Sequence, residues 1–352
     1  MVIEEVLQTK KVVVCLGTGG VGKTTTAAGL GVMAAQLGKK VLVITIDPSL
    51  RLASTLGISK DQEKPTRIED ASFKGELYGT VVNPPAVFDR FLRETVTDIE
   101  RRDRLMSNRL YIQLKTRLSG SQEFTSLEVL RNAVQSKAYD LVILDTPPAQ
   151  NAIDFLQAPQ KLHALFDGNV TRWFLSPATD TSVLKRMLFG GGGKLFEAME
   201  RLTGQVFIRE LKDFFNLAQD WQGALAEGMK WMHRMLTGSD AVFVLVTSFD
   251  EIKLREATEF LHQVRRLGYT IDGLVVNRVF PYWLDGGLEK VDLSEEMQKL
   301  YAKMYQFYAL RREQLETFSA NQDFKWVCRV TDLAGQVSAL ADLKVWVQAL
   351  QT

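Results

Sequence analysis

Cysteine is scarce in this chain of 352 residues, which contains Cys15, Cys328 and no CxxC pair. This scarcity excludes a disulfide-stapled scaffold, and it argues against a zinc site built from paired cysteines. Both cysteines lie in apolar segments, so we expect each to be a small buried core residue. The three histidines, His163, His233 and His262, are too scattered to suggest a metal site or a catalytic triad.

Long apolar runs and an excess of one charge are also missing. No run reaches the roughly 18 residues that a membrane-spanning helix needs, and the start lacks the basic and apolar regions of a signal peptide. Lys and Arg total 43 against 42 Asp and Glu, so bulk charge attracts neither nucleic acid nor a membrane surface. We therefore expect a cytoplasmic protein with no integral membrane segment and no nucleic-acid partner.

A glycine-rich loop is the most informative feature that is present. The apolar strand Val12 to Leu16 is followed by GTGGVGKT, a full match to G-x-x-x-x-G-K-[ST], and TTAA continues it into a helix. Glycines let consecutive backbone N–H groups wrap a phosphate, and the helix N-terminus adds the positive end of its dipole. The pattern predicts a nucleotide site formed by Gly19, Gly20, Val21, Gly22, Lys23, Thr24 and Thr25.

Two residues of this loop have distinct predicted roles. Lys23 is expected to reach the β- and γ-phosphates and to assist catalysis, while the Thr24 hydroxyl is expected to ligate Mg²⁺. We therefore predict ATP or ADP with Mg²⁺ as the cofactors, and no zinc.

Two acidic residues follow buried strands, at the edge where ligands bind in open α/β sheets. Asp47 comes after the strand 40–46 and has two interpretations: it orients the attacking water, or it opens a turn with Pro48. Asp145 follows the strand 139–144 in the Walker B pattern and is predicted to hold Mg²⁺, directly or through water.

The order of elements predicts an α/β fold with a doubly wound, mostly parallel sheet and an inserted α-helical subdomain. The later segments predict strands at 240–247, 271–276 and 325–330, and helices at 250–267, 293–318 and 332–350. We assign 1–85, 136–170 and 238–352 to a P-loop ATPase domain, and 86–135 with 171–237 to the discontinuous helical subdomain.

The segment from Leu184 to Leu236 is dense in Met, Phe and Trp, and Gly190 to Gly193 interrupt it. Periodicity alone favours an ordinary helical core. The alternative is a surface that repacks around apolar partners, since methionine-rich surfaces adapt to varied shapes.

Four segments together resemble a known family. GTGGVGKTT, TIDPSLRL, DTPPAQNAIDFL and VVNR, in this order along the chain, are similar to the arsenite-pump and Get-pathway ATPases, the ArsA-like branch of the P-loop NTPases. The resemblance implies that Asp47 belongs to switch I and activates water, and that Asp145 to Pro148 form switch II. It places Asn277 at the family's adenine-recognising asparagine, and with the adjacent Arg278 we assign it to nucleotide binding.

The resemblance also implies a dimer with ATP at the interface, helical subdomains that move with nucleotide state, and a loop after Val330 that closes over the base. The chain departs from the family signature GKGGVGKT at its first lysine, which crosses to the partner's phosphates and is Thr18 here. The arsenite-binding cysteines and the zinc-bridging CxxC are missing as well. These departures resemble one member of the paired bacterial ArsA-like ATPases, whose second chain retains the lysine.

Three functions remain open at this level. The first is a dimeric ATPase that binds a hydrophobic helix or a protein client, as a homodimer or with a lysine-bearing paralogue. The second is a positioning ATPase similar to the ParA/MinD branch, although the short C-terminal run LKVWVQAL argues weakly against membrane targeting. The third is a low-turnover nucleotide-binding regulatory subunit, which Thr18 suggests.

Overall fold

The computed structural model describes most of the chain. The described residues are 2–46, 51–58, 64–82, 84–109, 111–112, 122–146, 149, 152–158, 214, 216–217, 223–280, 294–333 and 335–351.

A twisted sheet organises these residues. Within the described part of the chain it has nine strands in the order β3-β4-β2-β5-β1-β6-β7-β8-β9. The strands are β1 (Val12–Gly17), β2 (Lys40–Thr45), β3 (Thr66–Ile68), β4 (Glu76–Val81), β5 (Leu141–Asp145), β6 (Ala241–Thr247), β7 (Gly273–Val279), β8 (Trp326–Thr331) and β9 (Leu350–Gln351). The seven inner strands of this order are parallel to one another, namely β4, β2, β5, β1, β6, β7 and β8. β3 and β9 pair antiparallel at the two edges of the sheet.

Helices alternate with these strands along the chain. They are α1 (Ile3–Thr9), α2 (Lys23–Gln36), α3 (Arg51–Leu56), α4 (Pro84–Thr95), α5 (Ile99–Ser107), α6 (Gln122–Gln135), α7 (Glu251–Arg266), α8 (Glu295–Ala320) and α9 (Leu340–Gln348). Residues 152–158 and 223–237 are also helical. The predicted α/β fold with a mostly parallel sheet is confirmed.

The central strands are buried because helices cover the sheet. β1, β5 and β6 are buried at every position, as the continuous apolar runs of the sequence predict. A cluster of buried side chains joins one face of these strands to α1, α2 and α9. Cys15 and Cys328 both lie in this cluster, 0% and 1% exposed, so their prediction as core residues is confirmed.

The chain divides into two compact units. One contains Met1–Val82, Val129–Gln157 and Arg234–Thr352, and it holds the whole sheet. The other contains Asn83–Glu128 and Ala158–His233. In this second unit Arg101 donates to the carbonyl of Asn216, and the Tyr111 hydroxyl donates to Asp89. The boundaries and roles of the ATPase domain and the helical subdomain stay predictions.

The last helix is shorter than the sequence predicts. The expected helix over 332–350 begins only at Leu340, and the described residues 332–333 and 335–339 are not helical. The Asp342 carboxylate accepts the backbone N–H groups of Ser338 and Ala339 at 2.8 and 2.9 Å, and this fixes the start of the helix at Leu340. Gly335 further disfavours helix upstream. The preceding loop is thereby left to line a pocket.

Two other predicted boundaries shift for local reasons. The predicted helical subdomain begins at residue 86, but helix α4 already starts at Pro84, because proline at a first helical position loses no intrahelical hydrogen bond. Strand β7 was expected to end before Asn277, but it runs on to Val279 through a register shift.

Candidate nucleotide site

The glycine-rich loop follows β1 at the carboxyl edge of the sheet, where β1 lies between β5 and β6. This is where an open α/β sheet binds its ligand. Gly20 and Gly22 have φ values of +80° and +92°, which other residues adopt only with strain. A Cβ at Gly22 would also collide with Asn277 Nδ2. Gly22 is therefore required both for its left-handed backbone conformation and for the space that Asn277 occupies beside it.

Lys23 folds back over this loop. Its side chain is 7% exposed, and Nζ donates to the backbone carbonyl of Thr18 at 2.7 Å. Lys23 and Thr18 are therefore close, as the motif requires. The Thr18 side chain is 5% exposed, and no described residue hydrogen-bonds its hydroxyl. Thr18 is therefore a buried side chain without charge.

Asp145 receives hydrogen bonds from two threonines. Thr24 Oγ1 donates to Asp145 Oδ2 at 2.8 Å, and Thr45 Oγ1 donates to the same oxygen at 2.9 Å. The sheet register explains this convergence, since Thr45 on β2 and Cys15 on β1 are both opposite Asp145 on β5. Asp145 is fully buried. The structure thus brings the two predicted Mg²⁺ ligands, Thr24 and Asp145, together.

The Cys15 thiol belongs to the residue opposite Asp145 in the sheet, and its pKa responds to that buried carboxylate. Burial, and next the negative charge of Asp145, raise the pKa of Cys15 far above its usual range, while Lys23 opposes the rise. Cys15 is therefore an uncharged core thiol. Its carbonyl accepts the Thr146 hydroxyl at 2.7 Å, which fixes the start of the segment after β5.

Asn277 reaches the loop from the other side. The residue is 5% exposed; its Nδ2 donates to the Val21 carbonyl at 3.0 Å, and its Oδ1 accepts from Trp346 Nε1 at 3.4 Å. The side chain predicted to bind the base therefore also ties β7 to the phosphate loop. The adjacent Arg278 is exposed, with φ of +54°, at the register shift of β7. Such backbone strain in a non-glycine residue is concentrated at functional sites.

A pocket of about 540 Å³ extends from the phosphate loop to the loop after β8. Its lining combines the ends of several elements, namely Gly20, Thr24, Thr25, Ser54, Thr55, Asn277, Arg278, Thr331, Asp332, Leu333, Gly335, Gln336, Val337, Ser338 and Trp346. The volume lies in the range of small-molecule and cofactor sites. One end offers the backbone of the phosphate loop, and the other offers the loop that the resemblance assigned to the base.

The structure does not place every predicted residue. Asp47, Pro147 and Pro148 lie outside the described residues, as do 159–213, which hold the Gly190 to Gly193 break. Gly19 is described and exposed in the loop, and a Cβ there would meet nothing within 4 Å.

Several residues at the site were missed by the sequence reasoning. Thr45 ends a strand that looks merely apolar, and Ser54, Thr55 and Trp346 lie on helices with no motif of their own. Thr45 is the first residue of the TIDPSLRL segment and the last residue of β2, so its position at a strand end offered a signal. Nothing in the sequence indicates Trp346, because its contacts are with residues far along the chain.

Two features define a P-loop nucleotide-binding protein. One is the strand, glycine-rich loop and helix that carry Lys23, and the other is the carboxylate of Asp145 at the end of β5. The chain belongs to the anion-transporting ATPase family, whose model matches residues 10–311. The predicted resemblance to ArsA-like and Get-pathway ATPases is thereby confirmed.

Three relatives illustrate the match. The chain is 23% identical over 279 residues to the putative arsenical pump-driving ATPase 1 of Aquifex aeolicus, a match covering 77% of this chain and 64% of that protein. It is 26% identical over 326 residues to an ATPase ASNA1 homolog of Babesia bovis, covering 90% and 80%. It is 24% identical over 292 residues to the ATPase get3 of Aspergillus terreus, covering 81% and 78%.

Within the described part of the chain, none of the helices is long and apolar enough to span a membrane. Over the same residues, no three or more His, Cys, Asp and Glu side chains gather in a group that could hold a metal ion.

Proposed function

We propose that this protein is a cytoplasmic, Mg²⁺-dependent ATPase that works as a dimer and couples its nucleotide state to the helical segments, in order to bind or target a hydrophobic or protein client. Membership in a family of ATPases supports ATP hydrolysis in general. The observation that carries the proposal is the hydrogen bond between Thr24 and Asp145, with Thr24 also lining a pocket large enough for a nucleotide and Lys23 folded over the same loop.

The oxygen atoms of this site suit a hard divalent cation. Thr24 Oγ1 and Asp145 Oδ2 are 2.8 Å apart, and a hydroxyl with a carboxylate is the donor set that P-loop proteins offer to Mg²⁺. When bound, the ion would neutralise charge that develops on the phosphates. Thr45 keeps the carboxylate oriented, and Lys23, held at the Thr18 carbonyl, is placed to turn to the phosphates.

Asp47 is proposed to orient the attacking water. It follows β2 directly, and the carboxyl end of β2 lies beside that of β5, where Asp145 is found. Asn277 and Arg278 are proposed to contact the base of the nucleotide, because both line the pocket together with the loop after β8 that the resemblance assigns to the base.

Two variants test the hydrolysis. Lys23→Ala is expected to abolish tight ATP binding. Asp47→Asn is expected to preserve binding and to slow hydrolysis by more than about tenfold, or ~1.4 kcal/mol of barrier. Unchanged turnover in Asp47→Asn would remove that residue from the mechanism. Wild-type protein that fails to bind ATP with Mg²⁺ would refute the proposal itself.

Client binding has its own experiment. The segment that follows Asp145 leads towards the region 184–236, so a contact with the γ-phosphate is expected to bias a two-state element there. Hydrogen exchange of 184–236 is expected to rise with a non-hydrolysable ATP analogue. Equal protection with and without the analogue would favour an ordinary helical core.

A second candidate is a regulatory subunit with slow turnover. The buried, uncharged Thr18 favours it, because this chain alone offers no cation at the position of the crossing lysine. A ParA/MinD-like positioning role would instead show as retention on lipid vesicles or DNA, which we do not expect.

A further inference from the structure

The Asn277 amide has two partners that can each bind only one of its ends. Trp346 Nε1–H is a donor without acceptor capacity, and the Val21 carbonyl is an acceptor without a proton. Oδ1 must therefore point to Trp346 and Nδ2 to Val21, as observed at 3.4 and 3.0 Å. Rotation of the amide by 180° would bring two donors together at one end and two acceptors together at the other.

Trp346 is itself rigidly placed. It is 1% exposed, and its ring lies against Gly29 on α2, where a Cβ would collide with the indole. The tryptophan extends from α9, which packs on α2 within the same core cluster. α2 begins at Lys23, at the end of the phosphate loop. The indole therefore packs against the helix that carries Lys23.

We propose that Trp346 is a positioning residue for nucleotide recognition: it fixes the orientation of the Asn277 amide, which holds the phosphate loop at Val21 and presents one donor and one acceptor to the base. Asn277 keeps one N–H and one lone pair beyond the two observed bonds. An amide with a fixed orientation complements the adjacent donor and acceptor of adenine, as in bidentate Asn–adenine pairs. The inference rests on the proposed nucleotide binding.

Trp346→Phe tests this with little change of shape. The phenyl ring keeps an aromatic side chain against α2, loses the outer part of the indole that faces Gly29, and loses the N–H donor. ATP affinity is expected to fall by about three- to tenfold, the range for one hydrogen bond in a partly compensated site. The preference for ATP over GTP is expected to narrow as well, because the Val21 carbonyl alone then holds the orientation of the amide.

Trp326→Phe is the matched control. Trp326 is also buried, at 7% exposed, and its ring lies equally close to a glycine, Gly273. No described residue accepts a hydrogen bond from its Nε1. The change therefore removes the same atoms without a partner, and both nucleotide affinities are expected to stay within twofold of wild type. Circular dichroism melting of both variants shows whether either has unfolded.

A double-mutant cycle keeps the test decisive even if Trp346→Phe lowers the stability of the fold, because it measures only the coupling between Trp346 and Asn277. In an Asn277→Leu background the indole has no acceptor, so Trp346→Phe is expected to cost no further ATP affinity. Additive losses, or an unchanged ATP-to-GTP ratio in Trp346→Phe, would overturn the inference and leave Trp346 as a packing residue. Wild-type protein that binds neither nucleotide would instead refute the proposed function.

Discussion

Thr24 and Asp145 are separated by 121 residues in the sequence and joined by a 2.8 Å hydrogen bond in the structure. The bond connects the first turn of α2 to the end of β5, and the register between β1 and β5 makes it possible. A hydroxyl that donates to a buried carboxylate oxygen fixes the orientation of that carboxylate. The predicted Mg²⁺ site is thus preorganised by the protein alone.

Asp145→Asn is expected to lower Mg²⁺-dependent ATP hydrolysis by at least about 100-fold, or ~2.7 kcal/mol of barrier. The amide has nearly the same shape but lacks the negative charge that would hold the cation. Phosphate release measured across a range of Mg²⁺ concentrations is the assay.

Thr45→Val is the matched control for that change. It removes one hydrogen bond from the same carboxylate oxygen and leaves both the charge and the Thr24 bond, so a loss below about tenfold is expected. Wild-type turnover of Asp145→Asn at saturating Mg²⁺ would contradict the assignment of Asp145.

Gly22→Ala is expected to destabilise the protein more than Gly20→Ala. Both glycines have left-handed φ values, and each alanine carries a penalty of about 1–2 kcal/mol for that conformation. A Cβ at Gly20 meets nothing within 4 Å, whereas at Gly22 it displaces the Asn277 amide. We expect Gly22→Ala to lose about 1 kcal/mol more in urea denaturation, the worth of the disrupted hydrogen bond. Equal losses of stability in the two variants would show that the Asn277 amide moves aside without any loss of folding free energy.

Features encoded by neighbouring residues could be predicted from the sequence. The apolar runs of β1, β2, β5 and β6 and the glycine motif each carry a complete local signal, and the structure agrees with them. β3 has three residues, of which Arg67 is exposed, and its pairing with β4 is not encoded locally.

Features that depend on distant contacts could not be predicted. The start of α9 is set by Asp342 accepting two backbone N–H groups, yet the residues before it look helical in the sequence. At the site, the motifs indicate Lys23, Thr24 and Asp145. The hydrogen bonds of Thr45 to Asp145 and of Trp346 to Asn277 instead depend on partners that the fold brings together. Motifs thus identify the atoms that meet the ligand, and tertiary structure identifies those that hold them in place.

Lys344→Gln is expected to lower stability near neutral pH and to have no effect in acid. Lys344 Nζ is 2.6 Å from Asp70 Oδ2 and, with Ser72, lowers the pKa of that carboxyl to about 2. A carboxyl with a lowered folded pKa stabilises the fold above its ordinary pKa near 4, and this contribution is lost as pH falls towards 2. Urea denaturation at pH 7, 4 and 2.5 should show a difference of about 1 kcal/mol or less that fades with acid.

Lys299→Gln is its matched control. Lys299 and Glu295 are also 2.6 Å apart, but their side chains are 71% and 81% exposed, so no measurable change is expected at any pH. A constant difference for Lys344→Gln from pH 7 to 2.5 would mean that packing, and not the ion pair, is responsible.

Thr18→Lys tests how the dimer is built. The native threonine is buried in its own loop, and its carbonyl is occupied by Lys23, so a lysine amine at this position has to extend outward. In a symmetric dimer of this chain both sites lack a crossing cation, which by analogy with arginine fingers is worth roughly 10³–10⁵ in rate. We therefore expect slow hydrolysis by the chain alone and a large gain in Thr18→Lys.

A lysine-bearing paralogue should produce the same gain with the native threonine in place. Its lysine would enter the site built on Lys23 of this chain, while Thr18 would face the partner's site, so the two sites become unequal. Adding Lys23→Ala to this chain should then remove most of the activity of the mixed dimer, because the competent site is lost. Serine at position 18 is the control, since it changes size but adds no charge, and it should leave the rate near that of the native chain. If this chain alone hydrolyses ATP as fast as the mixed dimer, and Thr18→Lys changes nothing, then Thr18 has no such role and a self-sufficient homodimer is the better account.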